Sequence, residues 1–261
     1  RHDVALVVTA ISGRERSQIM KQDLTGKTAL VTGAGGAIGA AICRFLAEQG
    51  AKIAACDLSA DQLTTLCASL PTNAYPVSMN VAEENSVIAG IAEIKEHLGD
   101  IDILVNCAGI LSNNKLMQTT SEEWRQIHAV NLDGPFYLSQ QVLPHMKEAG
   151  WGRIINIISY AWKSGGKTSG TAYSSSKGGL VGLTFTIAKE AAEFGVTVNG
   201  IAPAYVMSPM VTEQLTEEER QAQLEAIPVK RFSQPEEVAH AVRFLASPLF
   251  SRFSYKPSGT Q

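Results

Sequence analysis

Short β-branched runs alternate with longer helical stretches along most of the chain. The strand candidates are TALVT from 28, AKIAAC from 51, AYPVSM from 74, IDILVN from 101, GRIINII from 152 and VTVNGIA from 196. Segments of helical spacing, such as IGAAICRFLAEQG and ENSVIAGIAEIKEHLG, lie between them. Strict alternation of this kind predicts an α/β fold: a single doubly wound parallel sheet with helices on both faces.

The first strand candidate runs directly into a glycine-rich turn and then a helix. Glycines without Cβ atoms let backbone N–H groups approach a pyrophosphate at the positive end of the helix that follows. Glycine clusters also occur in tight turns for packing reasons alone. The prediction of a phosphate-binding turn therefore depends also on the residues that follow it in the chain. The candidate phosphate-binding residues are Gly33, Gly35, Gly36, Ile38 and Gly39.

Asp57 follows the second strand candidate, 18 residues beyond Gly39. A carboxylate there can accept hydrogen bonds from both ribose hydroxyls of NAD, whereas it would repel the 2′-phosphate of NADP. Helix capping is the alternative role, because Asp57 precedes LSADQ, although Ser59 is an equally good cap. The sequence therefore favours NAD(H) over NADP(H).

Composition excludes several other classes of function. Of the 261 residues, 45% are hydrophobic and 18% charged, with a formal charge of -3, which gives no basic excess for nucleic acid or anionic lipid. No apolar run approaches the roughly 20 residues of a membrane span. Cys43, Cys56, Cys67 and Cys107 form no C-x-x-C pair, which favours reduced buried thiols, no metal site and a cytoplasmic location.

Several short motifs occur in the order found in one family. The chain resembles the short-chain dehydrogenase/reductase family from Lys27 to about Pro248, and members related to 3-oxoacyl-carrier-protein reductases or to polyol and sugar dehydrogenases are the most similar in pattern. The resemblance implies a Rossmann fold, a nicotinamide dinucleotide as cofactor and a homo-oligomer, a dimer or a tetramer. The carrying motifs are T-G-A-G-G-A-I-G from Thr32, N-C-A-G from Asn106, H-A-V-N from His128, Y-S-S-S-K from Tyr173 and P-A-Y-V-M-S from Pro203.

The resemblance also implies further cofactor contacts, some of them at positions that depart from the family pattern. Ala37 replaces a glycine of the turn, and an asparagine stands where the family has an aspartate beside adenine. The residues expected to contact the cofactor in this way are Asn80, Val81, Asn106, Ala108, Gly109, Tyr173, Lys177, Pro203, Val206 and Ser208.

Tyr173 and Lys177 lie four residues apart in a segment of helical composition, so they face the same side one turn apart. An ammonium near a phenol stabilises phenolate and is expected to lower the pKa of Tyr173, which makes this residue the candidate acid/base. The resemblance adds Ser159 as a hydrogen-bond donor to the substrate oxygen and Asn131 as the residue that orders a proton-exchange water. Each residue also has a purely structural interpretation. Tyr173 and Lys177 could lie on a solvent-exposed helix face, Ser159 could hydrogen-bond the loop at the end of its strand, and Asn131 could pack within its helix.

Both ends of the chain depart from the expected pattern. Residues 1–19 precede Met20 and are interpreted as an N-terminal extension, whose non-native origin stays open. Residues 20–250 form the predicted domain. Residues 251–261 lack the final glycine-rich strand of the family, so the last strand of the sheet is expected to be missing.

The favoured function is interconversion of a secondary alcohol and a ketone by hydride transfer with NAD(H), and the alternative is a non-catalytic dinucleotide-binding scaffold or sensor inactivated by its altered C-terminus. Ser159 and Tyr173 are separated by 14 positions, one more than the family pattern. We therefore predict an extra loop residue between Trp162 and Thr171, bulging over the substrate entrance. The residues expected to shape the substrate pocket are Leu111, Ser112, Asn113, Trp162 and the segment 205–227.

Overall fold

The computed structural model describes residues 24–58, 60–166, 169–207 and 216–250. Six parallel strands form one sheet in the order β3-β2-β1-β4-β5-β6. The strands are β1 (Thr28–Thr32), β2 (Lys52–Asp57), β3 (Ala74–Ser78), β4 (Ile103–Asn106), β5 (Gly152–Ile157) and β6 (Val196–Ile201). All six strand candidates are confirmed. The strands β1, β4 and β5 are buried along their whole length, and such strands carry the apolar, β-branched runs that distinguish them from helices.

Helices connect the strands and cover the sheet. They are α1 (Ala37–Glu48), α2 (Ala60–Ser69), α3 (Glu84–Leu98), α4 (Ser121–His128), α5 (Gly134–Glu148), α6 (Ala161–Ser164), α7 (Thr171–Ala191), α8 (Glu217–Ala226) and α9 (Pro235–Ala246). A π-helical turn, Ala129–Asp133, joins α4 to α5, and 3-10 turns follow at Ala192–Phe194 and Pro248–Phe250. None of the described helices is long and apolar enough to cross a membrane.

The core consists of two apolar layers, one on each face of the sheet. Side chains of each strand alternate between them: Ala29 and Val31 of β1 belong to one layer, and Leu30 belongs to the other. Helices α1 and α9 cover the first face, and α3 and α5 cover the second. The predicted doubly wound Rossmann architecture is confirmed.

This strand order places a crevice where the chain turns from β1 to opposite sides of the sheet, beyond the carboxyl ends of β1 and β4. Ligands of open α/β sheets bind at such a point. Within the described residues β6 lies at the edge of the sheet. The 1–19 extension and the 251–261 tail predicted from the sequence lie outside the described residues.

Candidate active site

A cleft of about 600 Å³ opens at the carboxyl ends of the strands, a volume suited to a small ligand or cofactor. The glycine-rich turn forms its floor at the β1 side. Gly33 has a φ of +67°, and a Cβ on it would lie 2.9 Å from the backbone of Ala108. A Cβ on Gly39 would lie 2.1 Å from the carbonyl oxygen of Gly33. Backbone therefore packs directly on backbone here, next to the N-terminus of α1.

Asp57 ends β2 and reaches over this turn. Its carboxylate accepts the N–H of Gly35 at 3.0 Å and the N–H of Leu58 at 2.7 Å. Two hydrogen bonds fix the carboxylate and leave part of its acceptor capacity for a ligand. The alternative role of Asp57 as a helix cap stays open, because Ser59 lies outside the described residues. A glycine cradle beside a fixed carboxylate fits the pyrophosphate and ribose of a dinucleotide.

Asn80 and Val81 follow β3 and form the side of the cleft nearest Asp57. The amide of Asn80 closes a local turn, accepting the N–H of Ala82 at 3.2 Å and donating to the carboxylate of Glu83 at 2.8 Å. Because the amide already has these partners, it orders the turn rather than standing free toward the cleft. Val81 offers an apolar surface next to it.

The end of β4 is tied to β1 and to β5 beneath the cleft. The Thr32 hydroxyl accepts the N–H groups of Cys107 and Ala108, each at 3.1 Å. Asn106 is buried and donates to the side chain of Asn156 at 2.8 Å. Ala108 and Gly109 line the cleft, whereas Asn106 lies behind its wall. Asn106 therefore links two neighbouring strands, and its side chain does not line the part of the cleft where a cofactor could bind.

Tyr173 and Lys177 lie on the first two turns of α7 and line the cleft with Ser159, which follows β5. The hydroxyls of Tyr173 and Ser159 are hydrogen-bonded. Ser159 Oγ also accepts the N–H of Ala161 at 3.2 Å. Lys177 Nζ donates to the carbonyl of Ile157 at 2.9 Å and lies 5.8 Å from the centre of the Tyr173 ring. Strand β5 and helix α7 thus bring two hydroxyls and an amine to one point.

Burial controls the ionisation of this group. Burial lowers the pKa of Lys177 to about 8. Burial raises the pKa of Tyr173, and the hydrogen bond with Ser159 offsets this only in part. The expected lowering of the Tyr173 pKa by Lys177 is therefore wrong for this geometry. The ammonium donates to Ile157 and lies beside the ring, and desolvation of the phenolate outweighs any attraction to it.

Asn131 lies in the π-helical turn between α4 and α5 and is fully buried. Its amide accepts the N–H of Ile110 at 2.9 Å and donates to the Ile110 carbonyl at 3.0 Å and to Ser176 Oγ at 3.1 Å. A Cβ on Gly109 would lie 3.3 Å from Asn131 Oδ1 and 3.4 Å from Lys177 Nζ. Asn131 thus lies just behind the cleft beside the amine.

Two loops form the wall of the cleft that faces away from the nucleotide turn. Gly170 donates its N–H to the Ser112 carbonyl at 2.6 Å, and Thr171 donates to the Asn114 carbonyl at 3.0 Å. Lys115 Nζ donates to the carbonyl of Ser169 at 2.6 Å. The loop after β4 therefore holds the loop before α7. Glu123 of α4 accepts from Ser112 and Asn114, and these bonds lower its pKa.

The cleft gathers most of the site residues predicted from the sequence. Asn106 and Asn131 lie behind it, Ser112 and Trp162 are absent from its described lining, and Ser208 lies outside the described residues. The loop in which the sequence predicts an extra residue contains the one-turn helix α6 and then Gly165 and Gly166, both with positive φ. The insertion itself and its effect on the substrate entrance stay predictions. Lining residues that the sequence reasoning missed are Cys56, Leu58, Met79, Ile110, Val130, Ile157, Ile158, Tyr160, Ala161, Ser164, Gly166, Ser169 and Ala204.

Five of these missed residues lie at or directly beside the end of a strand, and that position was their available signal: Cys56, Leu58, Met79, Ile157 and Ile158. Ser176 lies between Tyr173 and Lys177 on α7. It is absent from the described cleft lining, yet it is buried and binds Asn131. A buried serine between two predicted site residues was therefore informative about how they are held.

A family model described as short chain dehydrogenase matches residues 27–219. The chain belongs to the short-chain dehydrogenase family. Its members are oxidoreductases that bind a nicotinamide dinucleotide. The match spans the glycine turn, the Asn131 turn and the Ser159, Tyr173 and Lys177 group.

Individual relatives can be aligned with most of this chain. The 3-oxoacyl-[acyl-carrier-protein] reductase of Vibrio cholerae is 41% identical over 227 residues, 87% of this chain and 92% of that protein. The protein of the same name from Thermotoga maritima is 38% identical over 227 residues, 86% of this chain and 92% of that protein. Nodulation protein G of Azospirillum brasilense is 40% identical over 228 residues, with the same two shares of 86% and 92%.

Proposed function

We propose that this short-chain dehydrogenase interconverts a secondary alcohol and a ketone with NAD(H), using Tyr173 as the acid/base. The observation that carries the proposal is the hydrogen-bonded hydroxyl pair of Ser159 and Tyr173 beside Lys177, in the cleft that also contains the glycine turn. A protein that only bound a dinucleotide would need the turn and Asp57 but not this group.

When bound, the dinucleotide supplies or accepts the hydride. Ser159 donates a hydrogen bond to the substrate oxygen and stabilises the charge that develops on it. Tyr173 passes its phenolic proton to that oxygen during ketone reduction and takes one back during alcohol oxidation. The residues that would hold the pyrophosphate are Gly33, Gly35, Gly36, Ile38 and Gly39, and Asp57 would hold the ribose next to the adenine; all of them line the cleft.

Lys177 has a proton-exchange role in this proposal. With a pKa of about 8, its Nζ can lose and regain a proton close to neutral pH. It lies beside the Tyr173 ring and Gly109, and Asn131 is directly behind it. We assign Asn131 the ordering of a water through which this proton reaches the solvent, and Lys177 a contact with the nicotinamide ribose.

The assay follows oxidation of NADH and NADPH by absorbance over a panel of ketones. Because two of the relatives are named 3-oxoacyl-[acyl-carrier-protein] reductases, 3-oxoacyl thioesters and esters belong in the panel beside sugar and polyol ketones. Turnover with at least one ketone is the expected result. Cofactor binding without turnover of any ketone or alcohol would favour a non-catalytic dinucleotide-binding scaffold.

The preference for NAD(H) rests on Asp57 and its surroundings. Among the described residues that line the cleft, Asp57 and Lys177 are the charged ones, and Lys177 belongs to the catalytic end. A 2′-phosphate would meet the Asp57 carboxylate and the apolar Leu58 without a cation. Calorimetric titration should give a Kd for NAD at least about tenfold below that for NADP, and Asp57→Asn should reduce this ratio. Tighter binding of NADP would contradict the assignment.

We also propose a homo-oligomer of single-domain subunits, each formed by residues 20–250, in the cytoplasm. Exposed aromatic side chains support an assembly: Phe136 on α5 is 45% exposed and Phe185 on the adjacent α7 is 64% exposed. Burial of such residues against a second copy would remove apolar surface from water. Light scattering after chromatography would give the mass, and Phe185→Glu should shift it toward the monomer.

A further inference from the structure

Three serines separate Tyr173 from Lys177 on α7, and one of them is fully buried. Ser176 is 0% exposed, whereas Ser175 next to it is exposed. Ser176 is absent from the described lining of the cleft, so its hydroxyl is not a contact for a ligand there. A buried hydroxyl is unfavourable unless it is hydrogen-bonded, and its partners therefore explain its place in the helix.

The hydroxyl of Ser176 uses its single proton on the backbone of its own helix. Oγ donates to the Tyr173 carbonyl at 2.8 Å, three residues earlier. With this proton committed, Oγ can only accept from Asn131 Nδ2, which lies 3.1 Å away. The bond between the two side chains therefore has one direction: the NH2 group of Asn131, and not its oxygen, faces Ser176.

The other hydrogen bonds of Asn131 lead to the loop after β4. Ile110 donates its N–H to Oδ1 at 2.9 Å and accepts from Nδ2 at 3.0 Å. Both protons of Nδ2 are then in use, and Oδ1 keeps one lone pair. Among the hydrogen bonds described for Asn131, the one with Ser176 is the only one to α7. Ser176 thus fixes the amide relative to the helix that carries Tyr173 and Lys177.

The remaining lone pair of Asn131 Oδ1 is available beside Lys177. A Cβ on Gly109 would lie 3.3 Å from Oδ1 and 3.4 Å from Nζ, so the two atoms flank the same glycine. Packing keeps the π-helical turn close to α7, since a Cβ on Gly179 would lie 2.8 Å from Leu132 Cδ2. In this arrangement a water can accept from Nζ and donate to Oδ1.

We propose that Ser176 is a positioning residue for the return of a proton to Tyr173, because it holds the Asn131 amide with its oxygen toward Lys177. The inference rests on the proposed ketone reduction. In each turnover the phenolic O–H of Tyr173 breaks, its proton goes to the substrate oxygen and a phenolate remains. A proton from the solvent must restore the phenol before the next turnover. Ser176 influences this restoring step through Asn131 and contacts neither substrate nor cofactor.

Ser176→Ala separates the first turnover from the later ones. Tyr173 already holds its proton, so the first NADH oxidised per active site should keep the wild-type rate in stopped-flow absorbance. Later turnovers wait for the proton, and kcat should fall by about tenfold. The value of kcat/KM for the ketone reports binding and the first chemical step and should stay near the wild type, so KM falls together with kcat.

Ser175→Ala is the matched control. It removes an exposed hydroxyl that donates to the Thr171 carbonyl at 2.8 Å on the same helix. Because this hydroxyl has no bond to Asn131 among the described contacts, kcat and the later turnovers should stay near the wild type. NAD titration of both variants should give wild-type values of Kd.

A double-mutant cycle tests whether Ser176 acts through Asn131. In an Asn131→Ala background, Ser176→Ala should change kcat by less than about twofold, since no amide is left to hold. Ser176→Cys puts a weaker acceptor in a similar volume, and its kcat should lie between those of the wild type and Ser176→Ala. Thermal unfolding shows which variants are folded at the assay temperature, and Ser176→Cys carries the comparison if Ser176→Ala is not.

The possible failures are distinguishable. A wild-type kcat in Ser176→Ala, a loss of kcat/KM as large as the loss of kcat, an equal loss in Ser175→Ala, or losses that multiply in the double variant would each overturn the role of Ser176 and leave the proposed reaction intact. Absence of turnover by the wild type with every ketone and alcohol would overturn the proposed function and this inference with it.

Discussion

The two ends of the cleft are built in different ways. At the nucleotide end, backbone of the turn packs on backbone of the β4 end, and a single added methyl group at Gly33 or Gly39 has no space. At the substrate end, the walls are the loops after β4 and β5 and helix α8. The two loops are joined by backbone hydrogen bonds from Gly170 and Thr171 and by side-chain bonds such as that of Lys115. The cofactor end is thus determined by the sheet itself, while the substrate end can change without altering the sheet.

The catalytic group lies where these two regions meet, and its loss should have the largest effect. Tyr173→Phe removes the proton donor without changing the shape of the ring, so kcat should fall by about 10³-fold or more. NAD affinity should change little, because the glycine turn and Asp57 stay intact. Steady-state kinetics and NAD titration measure the two effects.

Tyr160→Phe removes another tyrosine hydroxyl from the same cleft and is the control. Its kcat should stay within about tenfold of the wild type, because the described contacts show no bond between the Tyr160 hydroxyl and Ser159. The backbone of Tyr160 is held independently of its hydroxyl: its N–H donates to the Pro203 carbonyl, and its carbonyl accepts from Lys163 and Ser164. Equal losses in both variants would show that any change in the cleft stops turnover and would remove Tyr173 from its special role.

The nucleotide end should tolerate no added atom. In Gly39→Ala, the new Cβ would lie 2.1 Å from the Gly33 oxygen, so the turn has to open. NAD affinity should fall by about a hundredfold, or nearly 3 kcal/mol. Gly182→Ala on α7 is the control, since a Cβ there meets nothing within 4 Å and a helical Gly→Ala change stabilises by about 0.5–1 kcal/mol. Undiminished NAD binding by Gly39→Ala would contradict the rigid-turn interpretation.

Features that depend on local patterns could be predicted from the sequence, whereas features that depend on packing between elements could not. The strands, the glycine turn and the proximity of Tyr173 and Lys177 depend on local patterns, which are short β-branched runs, glycine spacing and helical spacing. The structure confirms their positions. The roles of these residues stay predictions. The π-helical turn at Asn131 was not predicted, because a single wider turn depends on packing between α4, α5 and α7 rather than on its own five residues.

Energetic quantities that depend on burial were the least accessible from sequence. The pKa direction of Tyr173 was wrong because desolvation is decided by the whole surrounding wall and not by the residue four positions away. The burial of Gln223 was also hidden, since a glutamine among glutamates on α8 is typical of a solvated face. Only the segment that contains it was expected to shape the pocket.

Lys177 lies at the boundary of the two regions. Its buried ammonium should lower the free energy of unfolding, although the proposed reaction uses this residue. Its pKa is lowered by burial from 10.5 to about 8, so the folded state holds an unfavourable buried charge below pH 8. This corresponds to a penalty on the order of 3 kcal/mol. Above pH 8 the folded protein releases this proton before the unfolded chain does, so stability from this group rises with pH up to about 10.5.

Lys177→Met should therefore increase the free energy of unfolding by about 2 kcal/mol at pH 6.5, after loss of the hydrogen bond to Ile157, and the gain should shrink toward pH 10. Urea unfolding at several pH values measures this. Lys189→Met, on an exposed position of α7, should show no comparable dependence on pH. A gain that grows with pH would contradict the assigned direction of the Lys177 pKa.

The smallest effect is expected at the substrate wall. Lys115→Met removes the bonds from Nζ to the carbonyls of Ser169 and Gly166, which are 2.6 and 3.4 Å long. Because an exposed bond of this type contributes about 1 kcal/mol or less, KM for a ketone should rise no more than about fivefold while kcat and NAD affinity stay near the wild type. Lys163→Met, an exposed lysine on the loop that Lys115 holds, is the matched control. A change in NAD affinity as large as the change in KM would show that the two ends of the cleft are coupled, and the proposed independence of the substrate wall would be wrong.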